Sequence, residues 1–421
     1  MIPDPRVFFA ALFDAAVAAA DPRRTIRAFL PARPRGRTVV IGAGKGSAQM
    51  AQALEAAWDG PLEGVVVTRY GYAARCRSVE VLEAAHPVPD AAGLEATRRL
   101  FAAVEGLTAD DLVIALISGG GSALLPAPPA GMSLDDEIAV NQALLASGAP
   151  IAAMNTIRKH LSAVKGCRLA AAAHPAKVVT LVVSDIPGDN PAFVASGPTV
   201  PDAASRADAL RLVQTYGLQL PAAAMRRLGS PDADAPKPDD PRFSGHEVRV
   251  IASAARSLEA AAAEAGRQGV AAAILSDAIE GEAREVGAVH AAIAREVAMR
   301  DRPFPKPVLI LSGGETTVTV RGAGGRGGRN GEFLLSLALG IDGVAGIAAF
   351  AADTDGIDGT EANAGAFADF SSAARMRAAG LDPRALLAAH DSWGAFAAVG
   401  DLFSPGPTGT NVNDLRAVLV R

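Results

Sequence analysis

The chain has 421 residues, half of them hydrophobic and a fifth charged, with a formal net charge of −5. That length exceeds one ordinary core and fits two domains of roughly 100–200 residues each, and the acidic balance excludes a general nucleic-acid binder, which needs a basic footprint. Two cysteines, Cys76 and Cys167, cannot build a disulfide framework; with no C-x-x-C or H-E-x-x-H spacing to suggest zinc, they read as ordinary cytosolic thiols.

In chain order, Val7 to Ala20 is apolar enough to mimic the core of a secretory signal. Asp4 precedes it, Asp14 interrupts it and no cluster of Lys or Arg leads in, so it reads as an amphipathic helix ending before Asp21-Pro22. No apolar run approaches the roughly 20 residues a membrane span needs. Thr38–Gly42 is a strand, and Ser47 to Trp58 a helix with Met50, Leu54 and Trp58 on one face. Gly64–Thr68, Leu112–Ile117 and Val178–Val183 are further strands. Their apolar runs are continuous, as in parallel strands covered on both faces, and the alternation with helices means α/β architecture. Ser230–Ser244 is rich in Pro and Asp and has no periodicity, so the inter-domain linker is expected there. Val248–Ile251 then opens a second α/β domain with a helix over Ser257 to Ala265 and strands at Ala271–Leu275, Val308–Leu311 and Ile347–Ala352. The expected domains are 1–235 and 245–421.

Several strands end in small-residue loops, where open α/β sheets bind ligands. The first loop is Gly42-Ala43-Gly44-Lys45-Gly46-Ser47. Its glycines allow close backbone approach to an anion, and Lys45 adds a full charge. It is not a Walker A motif, since Gly46 stands where Ser or Thr must follow the lysine. Nor is it a full dinucleotide fingerprint: Ser47 replaces the third glycine, and Arg69 follows the next strand where an acid would hold a ribose. The second loop, Ser118-Gly119-Gly120-Gly121-Ser122, offers free N–H donors and two hydroxyls. The third, Ser312-Gly313-Gly314-Glu315, is similar but carries an acid. Between Arg321 and Glu332, three arginines (Arg321, Arg326 and Arg329) lie among glycines, a pattern that suits bidentate binding of phosphate or carboxylate.

Two acidic loops follow strands directly: Asp185 to Asp189, and Asp353-Thr354-Asp355-Gly356-Ile357-Asp358. Mg²⁺ prefers one or two carboxylates plus waters, which either loop can supply. Asx-turn chemistry uses the same residues and is the plain alternative. Thr408 to Asp414 packs amide, hydroxyl and carboxylate groups near the C-terminus, where a buried capping network is the plain reading.

Taken together, the segments IGAGK (41–45), EAAHPVPD (83–90), LISGGGSALLPAP (116–128), MNTIRKHLSAVKG (154–166), VSDIPGD (183–189), ASGPTVPD (195–202), LSGGETTVTV (311–320), GGRGGRN (324–330), DTDGIDG (353–359) and GPTGTNVNDL (406–415) closely resemble the glycerate 2-kinase family, whose C-terminal part is called the MOFRL domain and whose members were often labelled hydroxypyruvate reductases. The resemblance covers nearly the whole chain. It implies an N-terminal Rossmann-like parallel sheet, a C-terminal MOFRL α/β domain and an active site in the cleft between them. It also implies ATP, Mg²⁺ and D-glycerate, giving 2-phosphoglycerate, in the cytoplasm, with no nucleic acid or membrane partner; a homodimer is left open. Small departures are Gly331 where Gln is usual, Gly46 where Ala is common, and Cys167 in place of a frequent Gly.

On that resemblance, Lys45 and Arg329 neutralise charge on the transferring phosphoryl group or hold the substrate carboxylate. Asp189 is the candidate to orient or deprotonate the acceptor hydroxyl. The backbones of Gly119, Gly120, Gly121, Gly313 and Gly314 cradle phosphates, and Asp185, Asp353 and Asp355 are the candidates for Mg²⁺. Gly44, Ser118, Ser122, Ser196, Glu315, Arg326, Asn330, Thr410, Asn411 and Asn413 complete the expected substrate and nucleotide site. Two alternatives stay open on the residues alone: an NAD(P)H-dependent hydroxypyruvate reductase and a non-catalytic sensor of phosphorylated acids.

Overall fold

The computed structural model describes residues 4–320, 322 and 324–421; Arg321 of the glycine-rich segment lies outside them. The chain divides into two compact units, Pro22–Ile251 and Met1–Asp21 with Ala252–Arg421.

The first unit is built on a six-stranded sheet of order β3-β2-β1-β4-β5-β6. Its strands are β1 (Thr38–Ala43), β2 (Glu63–Arg69), β3 (Val79–Ala84), β4 (Leu112–Ser118), β5 (Lys177–Val183) and β6 (Glu247–Ala252). Strands β1 to β5 pair in parallel. Every residue of β1 and β4 is buried, which is why both read as unbroken apolar runs rather than alternating ones. The order reverses direction between β1 and β4, and in doubly wound sheets that reversal opens a crevice at the carboxyl ends of the two strands. A helical layer in the same unit packs Val140, Leu144, Ile157, Leu161, Val213 and Leu228 into its own core. It includes the helices Leu134–Ala146 and Ile151–His160.

The second unit holds β7 (Ala271–Ser276), β8 (Gly281–Glu282), β9 (Val308–Ser312), β10 (Thr316–Thr317), β11 (Ile347–Asp353), β12 (Gly365–Asp369), β13 (Leu402–Phe403) and β14 (Asp414–Val420). Six of them form a mixed sheet of order β13-β12-β11-β14-β9-β7. Here β11 and β14 are antiparallel neighbours, β14 runs antiparallel to β9 and β7 runs parallel to β9, so the main sheet of this half is mixed; β8 and β10 form a separate two-stranded parallel sheet.

Two boundaries differ from the sequence reading. The strand expected to open the second domain, Val248–Ile251, is instead the edge strand β6 of the first sheet, beside β5. The Pro- and Asp-rich stretch is therefore a loop within the first unit, held by Arg168, which donates to Ala233 O and Asp234 O at 2.9 and 3.0 Å. The first helix, Pro5–Ala20, belongs to the second unit. It is capped by the Asp4 carboxylate, with Pro5 in its first turn, a favoured helix start. Its Phe8, Phe9, Leu12 and Phe13 are buried in one cluster with Leu258, Phe350 and Leu415, and Ser257 donates a hydrogen bond to Ala16 O.

Candidate active site

In the first unit the reversal point carries the lysine turn and the triple-glycine loop side by side. The turn leaves β1 through Gly44, whose φ of +137° and approach to Ser118 admit no side chain: a Cβ there would lie 2.2 Å from Ser118 Oγ. The turn consumes its own donors. The N–H groups of Gly44, Lys45 and Ser47 go to Val67 O, Gly119 O and Gly44 O, and that of Gly46 goes to Ser118 Oγ. The Ser47 hydroxyl bonds Val67 O and Gly44 O at 2.7 and 2.9 Å. The expectation of an anion cradle in this backbone therefore shifts to its neighbour. Among the described residues no protein acceptor takes the N–H groups of Gly120, Gly121 or Ser122, and no carboxylate pairs with the Lys45 ammonium.

Lys45 and His86 both crowd Gly120, where a Cβ would meet Lys45 Cγ at 3.1 Å and His86 Nε2 at 3.0 Å. Asp185, at the end of β5, lies over Gly119; a Cβ there would be 1.8 Å from its Oδ2. A side chain at 119 would displace the Asp185 carboxylate, and at 120 the φ of +79° favours glycine. Burial, then the charges of Lys45 and Arg69, lower the His86 imidazole to about 4, so it is neutral near pH 7.

A cavity of about 210 Å³ adjoins this loop, lined among others by His86, Ser122, Asn141, Asn155, Arg158 and Asp185. Its wall is a hydrogen-bonded chain. Ser122 Oγ meets Ser196 Oγ at 2.7 Å, Ser196 donates to Asn155 Oδ1 at 2.9 Å, and Asn155 donates to Phe193 O at 3.0 Å. Ala195 and Ser196 hold positive φ, 51° and 60°, conformations costly for residues with a side chain and commonest at functional sites. Asp189 also has a positive φ, 53°, but it does not line the cavity, whereas Asp185 does.

In the second unit Arg329 opens the helix Arg329–Gly340 and donates to three carboxylates: Nε to Asp414 and NH1 to Glu315, both at 2.8 Å, and NH2 to Asp353 at 2.6 Å. Despite burial, Asp414, Asp353 and Glu315 together hold its pKa above the usual arginine value. Burial holds the Asp353 carboxyl well above the ordinary range. Burial acts the same way on Asp414, but Arg329 and Arg416 outweigh it and keep Asp414 low. The Asp353 oxygens are both engaged, one by Arg329 and one by Asp355 N–H at 3.0 Å. Asp355 accepts Ile357 N–H through one oxygen.

The rest of the second cluster is largely structural. Asp358 accepts the N–H groups of Asn330 and Gly331 at 3.0 and 2.8 Å, capping the helix; burial pushes its carboxyl up to about 6. Asn330 donates to Asp414 at 2.9 Å. Gly331, where the family more often has Gln, fits closely, since a Cβ would lie 2.5 Å from Ser392 Oγ. Gly313 gives its N–H to Ser276 O and its carbonyl to the buried Arg416, so its backbone braces the strand rather than standing open. Arg326 is exposed, pairs with Glu361 and stacks on Trp393 at 3.5 Å. Thr410 donates to Ala20 O, Asn411 accepts Asn413 N–H, and Asn413 O accepts from Thr354: the capping network read from the sequence.

His86, Asn141, Asn155 and Arg158 were not singled out from the sequence. For Arg158 a signal existed. The helix Ile151–His160 ends in Arg158, Lys159 and His160 and carries no acid.

A family model described as a domain of unknown function, DUF4147, matches residues 8–229, and the MOFRL family model matches residues 308–414. A protein of Agrobacterium vitis, provisionally named a hydroxypyruvate reductase, is 56% identical over 97% of this chain and 93% of its own. The D-glycerate 2-kinase of Thermotoga maritima is 40% identical over 95% of this chain and 94% of its own. The crystal structure of a Thermotoga maritima glycerate kinase superposes with a TM-score of 0.89 at 38% identity, covering 99% of both chains. With a parallel sheet carrying the lysine turn, an arginine cluster in the MOFRL segment and relatives matched over more than nine-tenths of both chains, the chain belongs to the glycerate 2-kinase family.

Proposed function

We propose that this chain is an ATP-dependent kinase that transfers a phosphoryl group to D-glycerate, giving 2-phosphoglycerate. The observation that carries the reading is the open loop Gly120–Ser122 packed against the Lys45 side chain: among the described residues its N–H donors have no protein acceptor and the lysine has no carboxylate partner. Phosphoryl transfer asks the protein mainly for positioning and electrostatic stabilisation, and such a site supplies both. In this reading Lys45 and the loop receive phosphoryl oxygens, and Asp185, rather than Asp189, faces the acceptor hydroxyl because it lines the cavity.

In the second unit, Arg329 is the cation placed to meet an anion. It retains unused N–H donors, since three of its five are bonded to acids. Asp353 serves to orient that guanidinium. Among the described residues no three acids or histidines form a metal cage; that suits Mg²⁺, which takes one or two carboxylates and completes its shell with water and phosphate. Asp185, over the glycine loop of the first unit, is the carboxylate that would hold it. When bound, the ion neutralises phosphate charge. Among the described residues no helix is long and apolar enough to cross a membrane, and the cytoplasm is the location this reading proposes.

A second reading, an NAD(P)H-dependent hydroxypyruvate reductase, is favoured only by the provisional name of some relatives. The Ser47 hydroxyl fills the place of the third fingerprint glycine, and Arg69, stacked on Tyr72 at 3.6 Å, stands where a ribose acid belongs. Incubation with ATP, Mg²⁺ and D-glycerate, followed by ³¹P NMR, should show 2-phosphoglycerate. NADPH oxidation with hydroxypyruvate, and no phosphorylated product, would overturn the kinase reading.

A further inference from the structure

Among the described residues, Arg158 is a charged group without a counter-ion. Its Nε donates to Asn141 Oδ1 at 2.8 Å and its NH1 to Asn155 Oδ1 at 3.3 Å. Among the described residues no carboxylate lies within ion-pair distance of it. The acid whose field it feels, Glu137, is itself bonded to Lys165 at 2.6 Å. Its neighbours on the helix are provided for: Lys159 pairs with Asp202, and His160 meets Thr156 O at 2.7 Å. Burial lowers the Arg158 pKa, and the field of Glu137 offsets this only in part. Arg158 is half-buried, and charges withdrawn from water are ordinarily paired. This one is held in place by two neutral amides and faces the cavity beside the glycine loop.

We propose that Arg158 is the carboxylate-recognition residue of a small hydroxy-acid subsite in this cavity, with Asn155 and Ser122 beside it taking hydroxyl groups of the same molecule. The volume, about 210 Å³, falls below the roughly 300–1,000 Å³ of sites for drug-sized ligands. It suits a three-carbon acid and not a nucleotide. A guanidinium fork matches a carboxylate bidentately, and two amides fix the plane of this one. The chain Asn155–Ser196–Ser122 leads from Arg158 to the glycine loop, so an acid gripped at Arg158 points its hydroxyl end towards Asp185, His86 and Lys45. The proposal deepens the kinase reading and rests on it for the identity of the acid.

The test compares wild type with Arg158→Gln and Arg158→Lys, using D-glycerate and its uncharged amide, glyceramide, as acceptors. Arg158→Gln should raise KM for D-glycerate on the order of 10²-fold and leave KM for ATP unchanged. Arg158→Lys, which keeps the charge but not the fork, should fall between. The wild-type preference for D-glycerate over glyceramide should vanish in Arg158→Gln. That ratio is internal to each protein and unmoved by partial loss of fold; if the Gln variant does not fold, the Lys variant carries the comparison. A rise in KM for ATP alone, or an unchanged preference, overturns the assignment. Calorimetric titration of D-glycerate without ATP separates this from the kinase reading. Binding in wild type that is lost in Arg158→Gln supports the subsite even if no phosphorylation occurs. Equal binding in both, or none in wild type, overturns it.

Discussion

The two cations most exposed to judgement, Lys45 and Arg329, sit in opposite electrostatic situations, and their substitutions should separate accordingly. Among the described residues Lys45 has no acid partner, so little of the fold depends on its charge. Lys45→Met should lower kcat by on the order of 10²–10³-fold, as for loss of one preorganised donor, while unfolding free energy moves by no more than about 0.5 kcal/mol; near-wild-type turnover would remove Lys45 from the machinery. Arg329 compensates three carboxylates, two of them buried. Arg329→Met should cost about 3–5 kcal/mol of stability, because it leaves buried charge unpaired. A urea titration showing an unchanged midpoint would contradict this account of the cluster. Asp358 gives a pH signature. Its folded-state value of about 6 lies above the roughly 3.9 of a free aspartate, so the folded state holds this proton more tightly. Its contribution to stability is fully present below about pH 4, is withdrawn as pH rises, and is gone above about pH 6. Asp358→Asn should flatten that fall, on the order of 1–3 kcal/mol, in urea titrations between pH 4 and 7; an identical slope in both proteins would refute the assignment.

At the scale of elements, the strand–turn–helix from β1 into Ser47–Ala57 and the loop after β4 form one interlocked piece. Lys45 N–H is tied to Gly119 O at 2.8 Å, and Gly44 has room for hydrogen alone. Gly44→Ala combines an unfavourable φ with backbone contact, since its Cβ would stand 2.4 Å from Ser118 O. The expected cost is roughly 1–3 kcal/mol, with activity falling further than stability because the turn aims Lys45. Equal unfolding midpoints for Gly44→Ala and wild type would show that the turn is looser than this packing implies. In the second unit the acidic loop after β11 plays a different part. Its carboxylates bind backbone N–H groups and Arg329, and Asp358 caps a helix that begins more than 20 residues upstream in sequence. A loop that reads as a metal site is, in the main, a clamp on the arginine.

At the scale of the whole molecule, the first helix completes the core of a unit whose other residues begin at Ala252. Phe9 stacks on Phe350 with ring centroids 5.8 Å apart, and Phe13 meets Phe403 edge-on at 5.0 Å. Phe9→Ala should cost about 3–5 kcal/mol. By amide hydrogen exchange the loss of protection should appear in Ile347–Asp353 and Asp414–Val420, not in the first sheet. Loss confined to β1 to β5 would show that the helix serves the other unit.

Chemistry that depends on residue type and local spacing was legible from the sequence. Fully buried strands announce themselves as continuous apolar runs, and the glycine turn with Lys45 announces a close backbone approach. The Walker and dinucleotide patterns fail at named positions, Gly46 and Ser47. What the sequence left open depends on partners far along the chain. That β6 closes the first sheet, that the first helix joins the second unit, that Asp185 rather than Asp189 lines the cavity, and that among the described residues no carboxylate pairs with Arg158 were all decided by folding. A residue's type fixes which bonds it is able to make. Which of those bonds are already taken, and so which groups remain for a substrate, is set by neighbours that only the tertiary structure brings within reach.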